Sequence, residues 1–178
     1  LPAKPKALLI VSAHWEQAQP TVLTAATPPL LFDYYGFPKH TYELKWPAKG
    51  APDVAARIGA LLTGAGIPNN TDGERGFDHG VFVPMLLSYP RADVPTLQLS
   101  LKQGLDPAEH LRIGAALAPL RDEGVLIVGS GMSYHNMRGF FGRVPTLQRD
   151  SAAFDDWLAE TVLDAPSRRE QRLVEWAK

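Results

Sequence analysis

Three histidines stand where imidazole chemistry could be done: His14, His79 and His135. His14 lies in S-A-H-W at 12–15, directly after the apolar run A-L-L-I-V at 7–11. His135 closes G-S-G-M-S-Y-H-N at 129–136, which follows V-L-I-V at 125–128. Imidazole is the commonest side-chain metal ligand and the natural acid–base group near neutral pH. If the two apolar runs are parallel strands of one sheet, both histidines emerge at the same edge, as a metal site or an acid–base pair. The alternative for 129–136 is a glycine-rich connection with one surface histidine. His79 sits in G-F-D-H-G at 76–80. That stretch reads equally as a functional histidine or as a turn in which Asp78 caps the following helix. His40, beside Lys39, is expected at the surface, and His110, between Glu109 and Arg112, is expected to be solvated or structural.

The elements that must position these residues follow from periodicity. Residues 125–128 are apolar, β-branched and closed by glycine, which predicts a strand buried on both faces. Residues 95–101 (P-T-L-Q-L-S-L) alternate and predict a strand, residues 21–27 another, and residues 42–46 an edge strand ended by Pro47. Helical spacing of Val54, Ile58, Leu61 and Leu62 predicts a helix over 51–65. A short helix is expected over 81–87. A longer one is expected over 107–123, with Asp106 as N-cap. Further helices are expected over 151–163 and from 168 on, the last with Ser167 and Glu170 at capping-box spacing. Residues 137–141 read as a loop with an apolar tip. Residues 30–40 (L-L-F-D-Y-Y-G-F-P-K-H) are dense in aromatics. They either line a pocket for a planar ligand, with Tyr34, Tyr35 and Phe37 as walls, or cover the core with their rings. Alternating strands and helices predict an α/β fold with a mixed, largely parallel central sheet covered by helices on both faces.

Composition narrows the chemistry. The 178 residues are 45% hydrophobic and 21% charged, with a formal net charge of -1, so a nucleic-acid or anionic-membrane partner is not expected. No apolar run approaches the roughly 20 residues of a membrane span, and no signal-peptide pattern opens the chain. There are no cysteines, which removes disulfides, zinc–thiolate sites and cysteine nucleophiles. A metal would be held by histidine, carboxylate or water, which favours non-haem iron or zinc. A disulfide-free chain leans cytoplasmic. Gly129-Ser130-Gly131 lacks the G-x-S-x-G spacing of a serine hydrolase.

Four stretches in order, S-A-H-W at 12–15, G-F-P at 36–38, G-F-D-H-G at 76–80 and G-S-G-M-S-Y-H-N at 129–136, together resemble the class III extradiol ring-cleavage dioxygenases of the LigB-like superfamily. The similarity is greatest to the DODA, or 4,5-DOPA dioxygenase-like, type. The resemblance implies one catalytic domain over 1–178, with His14 as a metal ligand, His79 lining the active site, and His135 as a ligand or catalytic acid–base. The implied metal is Fe(II), with Zn(II) as the other ion placed in this kind of site. The implied substrates are O2 and a small aromatic catechol. Family members also carry an H-G-S-P-like motif before and an H-x-x-P-L-like segment after the region matched here. The abrupt ends of this chain suggest a fragment lacking both.

On that reading, His14 helps hold a mononuclear metal with open positions for catechol and O2. His135 or His79 takes a catechol proton and later returns one. Two rivals use the same residues. A zinc-dependent hydrolase would activate water instead of O2. A non-catalytic protein on this fold would bind metal or an aromatic without turnover.

Overall fold

In the computed structural model, which describes residues 3–142 and 144–177, the chain forms two compact units, one up to Gly131 and one from Met132 on. The first is built on a five-stranded sheet of order β3-β2-β4-β1-β5. Its strands are β1 (Ala7–Gln17), β2 (Thr21–Leu23), β3 (Asn70–Asp72), β4 (Thr96–Lys102) and β5 (Val125–Ser130). β1 runs parallel to both β4 and β5, β2 runs parallel to β3, and the β2–β4 bridge at Val22 and Leu99 is antiparallel. Parallel neighbours need long crossovers. These carry α1 (Pro52–Gly64), α2 (His79–Ser88), α3 (Pro107–Leu117) and α4 (Pro119–Asp122).

The expected mixed, largely parallel sheet with helices on both faces is the fold observed. The two-residue period of β1 explains how both faces are filled. Ala7 and Leu9 join a core with Ile58 and Leu62 of α1, Ile113 and Leu117 of α3, and Leu120 of α4. Leu8 and Ile10 face the other way, into a core with Val81, Phe82 and Met85 of α2 and with Trp15, Trp46 and Phe77.

Several elements differ from the expectation, each for a physical reason. β5 is an edge strand, and Leu126, Ile127 and Val128 are only partly buried rather than enclosed on both faces. β4 is the strand expected at 95–101; it lies inside the sheet, and its polar Thr96, Gln98 and Ser100 are buried. Residues 42–46 form no strand. A short 3-10 helix (Lys39–Tyr42) precedes them, and Trp46 is buried with its indole N–H donating to the Tyr89 carbonyl at 2.9 Å. The expected strand at 21–27 contracts to the three residues of β2, and the short polar β3 carries no periodic signal. The helix expected over 107–123 is two, because Pro119 cannot continue the α3 ladder. Asp106 does cap α3, its carboxylate accepting the Glu109 N–H at 2.9 Å.

The second unit holds α5 (Met137–Phe141), α6 (Leu147–Leu163) and α7 (Pro166–Val174). α5 replaces the expected loop, and the Asn136 side chain accepts the Gly139 N–H at 3.3 Å. α6 begins four residues before the expected start. α7 has Ala165 as its N-cap with no side-chain cap bond, so Ser167 and Glu170 form no capping box. Phe154 packs against Tyr134 and Trp157 at ring distances of 6.0 and 5.5 Å. Among the described residues, no helix is long and apolar enough to cross a membrane.

Candidate metal and acid–base site

The site begins with an irregularity in β1. Val11 pairs with Leu99 and Glu16 with Leu101, so residues 12–15 on β1 stand against Ser100 alone on β4. Such a bulge re-aims side chains and recurs beside functional sites. Here it leaves Ser12 and Trp15 buried and turns His14 outward to an exposed position. The motif S-A-H-W thus spans the bulge of a strand that continues to Gln17, rather than a loop past a strand end.

His79 is the first residue of α2. Its partner comes from the aromatic segment at 30–35. Leu30 bridges to Phe77, and the Leu31 N–H donates to the Phe77 carbonyl at 2.7 Å, which fastens that segment beside the start of α2. Asp33 follows. Its Oδ1 accepts the backbone N–H of His79 at 3.0 Å and lies 2.7 Å from the ring Nδ1. Partial burial pushes the Asp33 carboxyl up, but the backbone bond, the ring bond and the charge of His79 together hold it below its ordinary value. The His14 and His79 rings stand 4.0 Å apart, centre to centre, at 38°.

One ligand atom each from His14, Asp33 and His79 lies within 4.8 Å of the others. Metal–nitrogen and metal–oxygen bonds of about 2.0–2.2 Å place neighbouring ligand atoms roughly 3 to 4 Å apart. Small side-chain adjustments therefore bring these three into range of one ion. Two imidazoles and a carboxylate form the donor set of the facial triad of non-haem Fe(II) oxygenases, and zinc accepts the same donors. The chemistry of the donor set fits a divalent metal.

The other expected residues are distributed as follows. The Tyr34 ring meets His79 edge-on at 5.7 Å, and Phe37 packs on Tyr34 at 5.4 Å. Tyr34 is itself anchored, its hydroxyl donating to the Thr41 carbonyl at 2.5 Å. Tyr35 points into solvent, 91% exposed. His135 belongs to the second unit, where it is exposed on the wall of an open cavity of about 670 Å³, lined also by Tyr134, Arg138, Phe154 and Trp176. His110 is structural: its Nε2 accepts the Lys102 N–H at 3.1 Å, and its Nδ1 lies 2.8 Å from the Asp106 carbonyl. His40 is at the surface.

Two acidic residues were given no site role in the sequence. Asp33 left one trace, a lone carboxylate inside an aromatic run. Asp78 occupies the N-cap position of α2 but makes no cap bond. Its fully buried carboxylate instead accepts from Ser12 Oγ at 2.8 Å, from an Arg75 guanidinium nitrogen at 3.1 Å, and from the Gln98 amide.

Residues 2–176 match the family described as the catalytic LigB subunit of aromatic ring-opening dioxygenase, a match that runs through both compact units. Curated relatives named 4,5-DOPA dioxygenase extradiol occur in Beta vulgaris, 47% identical over 94% of this chain, and in Portulaca grandiflora, 41% identical over 92% of it. The chain spans 62% and 60% of those two proteins. A crystal structure of an uncharacterized protein from Escherichia coli K12 superposes with a TM-score of 0.76 at 33% identity, over 98% of this chain and 66% of that one. The chain therefore belongs to the family of the catalytic LigB subunit of aromatic ring-opening dioxygenases.

Proposed function

We propose that this chain carries the metal centre of an extradiol dioxygenase, which opens the ring of a catechol-type substrate with O2 at a mononuclear non-haem metal. The observation that carries this reading is that His14 stands beside the Asp33-paired His79, their rings 4.0 Å apart, in a chain of this family. Fe(II) is the ion we assign, because the reaction needs a metal that engages O2, which zinc does not. Bound there, the metal would bring catechol and O2 together and polarise the catechol oxygens.

His14 is a ligand in this proposal. His79 holds a proton on Nδ1 against Asp33, which leaves Nε2 as the acceptor for a catechol hydroxyl proton. Asp33 stabilises the imidazolium as it forms. His135 is assigned a second proton-transfer or ligand role on the resemblance of its H-N motif. Tyr34 and Phe37 offer an aromatic wall for the ring, and Tyr35 is too exposed to add to it.

The test is anaerobic Fe(II) reconstitution of the full-length protein, then oxygen uptake and absorbance with a panel of catechols that includes DOPA. The expected result is a yellow ring-opened product formed with one O2 consumed per ring, abolished by His14→Ala. Tight metal binding with no uptake on any catechol would overturn the proposal in favour of a zinc hydrolase or a binding protein.

A further inference from the structure

Beneath the two site histidines lies a polar cluster in an otherwise apolar core. The core between the sheet and α2 holds Leu8, Ile10 and Trp15 of β1 with Val81, Phe82 and Met85 of α2, yet Ser12, Asp78 and Gln98 are buried beside it with no exposed surface. Ser12 Oγ donates to Asp78 Oδ1 at 2.8 Å and accepts the backbone N–H of His14 at 3.2 Å. Asp78 Oδ2 takes the Arg75 guanidinium and the Gln98 amide. Arg75 in turn lies over the Trp15 ring at 4.7 Å. Three of its members adjoin a site histidine: Ser12 and Trp15 bracket His14, and Asp78 precedes His79.

The cluster is poorly explained as a stabilising device. Trp15 Nε1, Arg75 Nε and Gln98 Oε1 are buried without a partner among the described residues. Unpaired buried polar atoms are unfavourable, and an apolar set of similar volume often stabilises at least as well. A close approach accompanies it. A Cβ added to Gly80 would collide with Ser12 Oγ and stand 3.0 Å from His14 Cδ2, so glycine is what lets the first turn of α2 reach the bulge. Ser130 Oγ holds that turn from another strand, donating to the Gly80 carbonyl at 2.5 Å.

We propose that Asp78 is a positioning residue: clamped by Ser12, Arg75 and Gln98, it ties the β1 bulge to the start of α2 and so sets the His14 and His79 rings against each other. Outer partners of this kind fix the orientation of metal-binding groups. The consequence for metal affinity rests on reading His14 as a metal ligand, as proposed above. The consequence for ring geometry does not.

The experiment uses the full-length protein with Ser12→Ala, Asp78→Asn and Gly80→Ala. Thr96→Val is the control, because Thr96 is equally buried in the same sheet but donates to the Val94 carbonyl outside the cluster. Long-range proton–nitrogen correlations of the imidazoles are recorded without metal, and Zn(II) affinity is measured by chelator competition. Ser12→Ala and Asp78→Asn should both shift the His14 and His79 ring signals and weaken Zn(II) about 10- to 100-fold. Gly80→Ala should move the His14 signals most. Thr96→Val should lower the unfolding midpoint and leave ring signals and affinity unchanged.

Unaltered ring signals in Ser12→Ala overturn the proposal, and so do equal shifts in Thr96→Val, which would mark general loosening. If Asp78→Asn does not fold, Ser12→Ala decides alone. Wild-type protein that binds Zn(II) no better than His14→Ala would refute the metal reading, and the ring signals would still decide the positioning role.

Discussion

Asp33 is the residue whose importance depends most on folding. It lies 46 positions from His79, yet it meets that histidine through both backbone and ring. Asp33→Asn keeps an acceptor for both bonds and removes the charge, whereas Asp33→Ala removes everything. Turnover should therefore fall in two steps, about tenfold in the asparagine variant and toward 100-fold in the alanine variant, read as kcat on a catechol with the metal bound. Wild-type turnover in both variants would mean that Asp33 does not orient His79. His14 and His79 were legible in their motifs because each sits among sequence neighbours that signal it. Asp33 was not, because its partner is supplied by another part of the chain. The cap role was one of two readings open for Asp78, whose sequence position suits it; Ser12, Arg75 and Gln98 claim the carboxylate instead.

At the scale of elements, apolar periodicity predicted α1, α2, β4 and β5 to within a few residues. It could not show which element is central. The alternation of β4 looks the same whether its polar face meets water or a second layer, and here it meets the α2 layer. Pairing between elements also sets their response to pH. The Arg57 guanidinium of α1 bonds Glu123, just past α4, at 2.8 Å. That bond holds the Glu123 carboxyl below its ordinary value, helped by the charges of Arg57 and Lys6 and opposed by slight desolvation. A carboxyl lowered in the folded state contributes stability above its unfolded pKa and loses it as pH falls through the folded value. Glu123→Gln should thus lower the thermal midpoint slightly at neutral pH, the pair being exposed, and the gap to wild type should close on acidification. A gap that widens in acid would contradict this.

For the whole molecule, the sheet of the first unit carries the core that holds the site. Ile58 is fully buried where α1 packs on that sheet, and Ile58→Ala should reduce stability by about 2–5 kcal/mol in a denaturant titration. His135 lies in the second unit, whereas His14 and His79 belong to the first. If its role is proton transfer, His135→Ala in the full-length protein should retain the metal and lose about 10²- to 10⁴-fold in kcat. Loss of metal along with activity would make it a ligand instead.

The sequence by itself determined the fold class, the strand and helix periods and the motifs that bear the histidines, because these are written in residues close to one another along the chain. Tertiary structure alone decided that β1 bulges under His14, that Asp33 faces His79, and that Asp78 serves the core rather than a helix end. The pairs Asp33–His79 and Ser12–Asp78 join residues 46 and 66 positions apart. The periodicity of a segment states which face a side chain occupies, but not what is packed against that face.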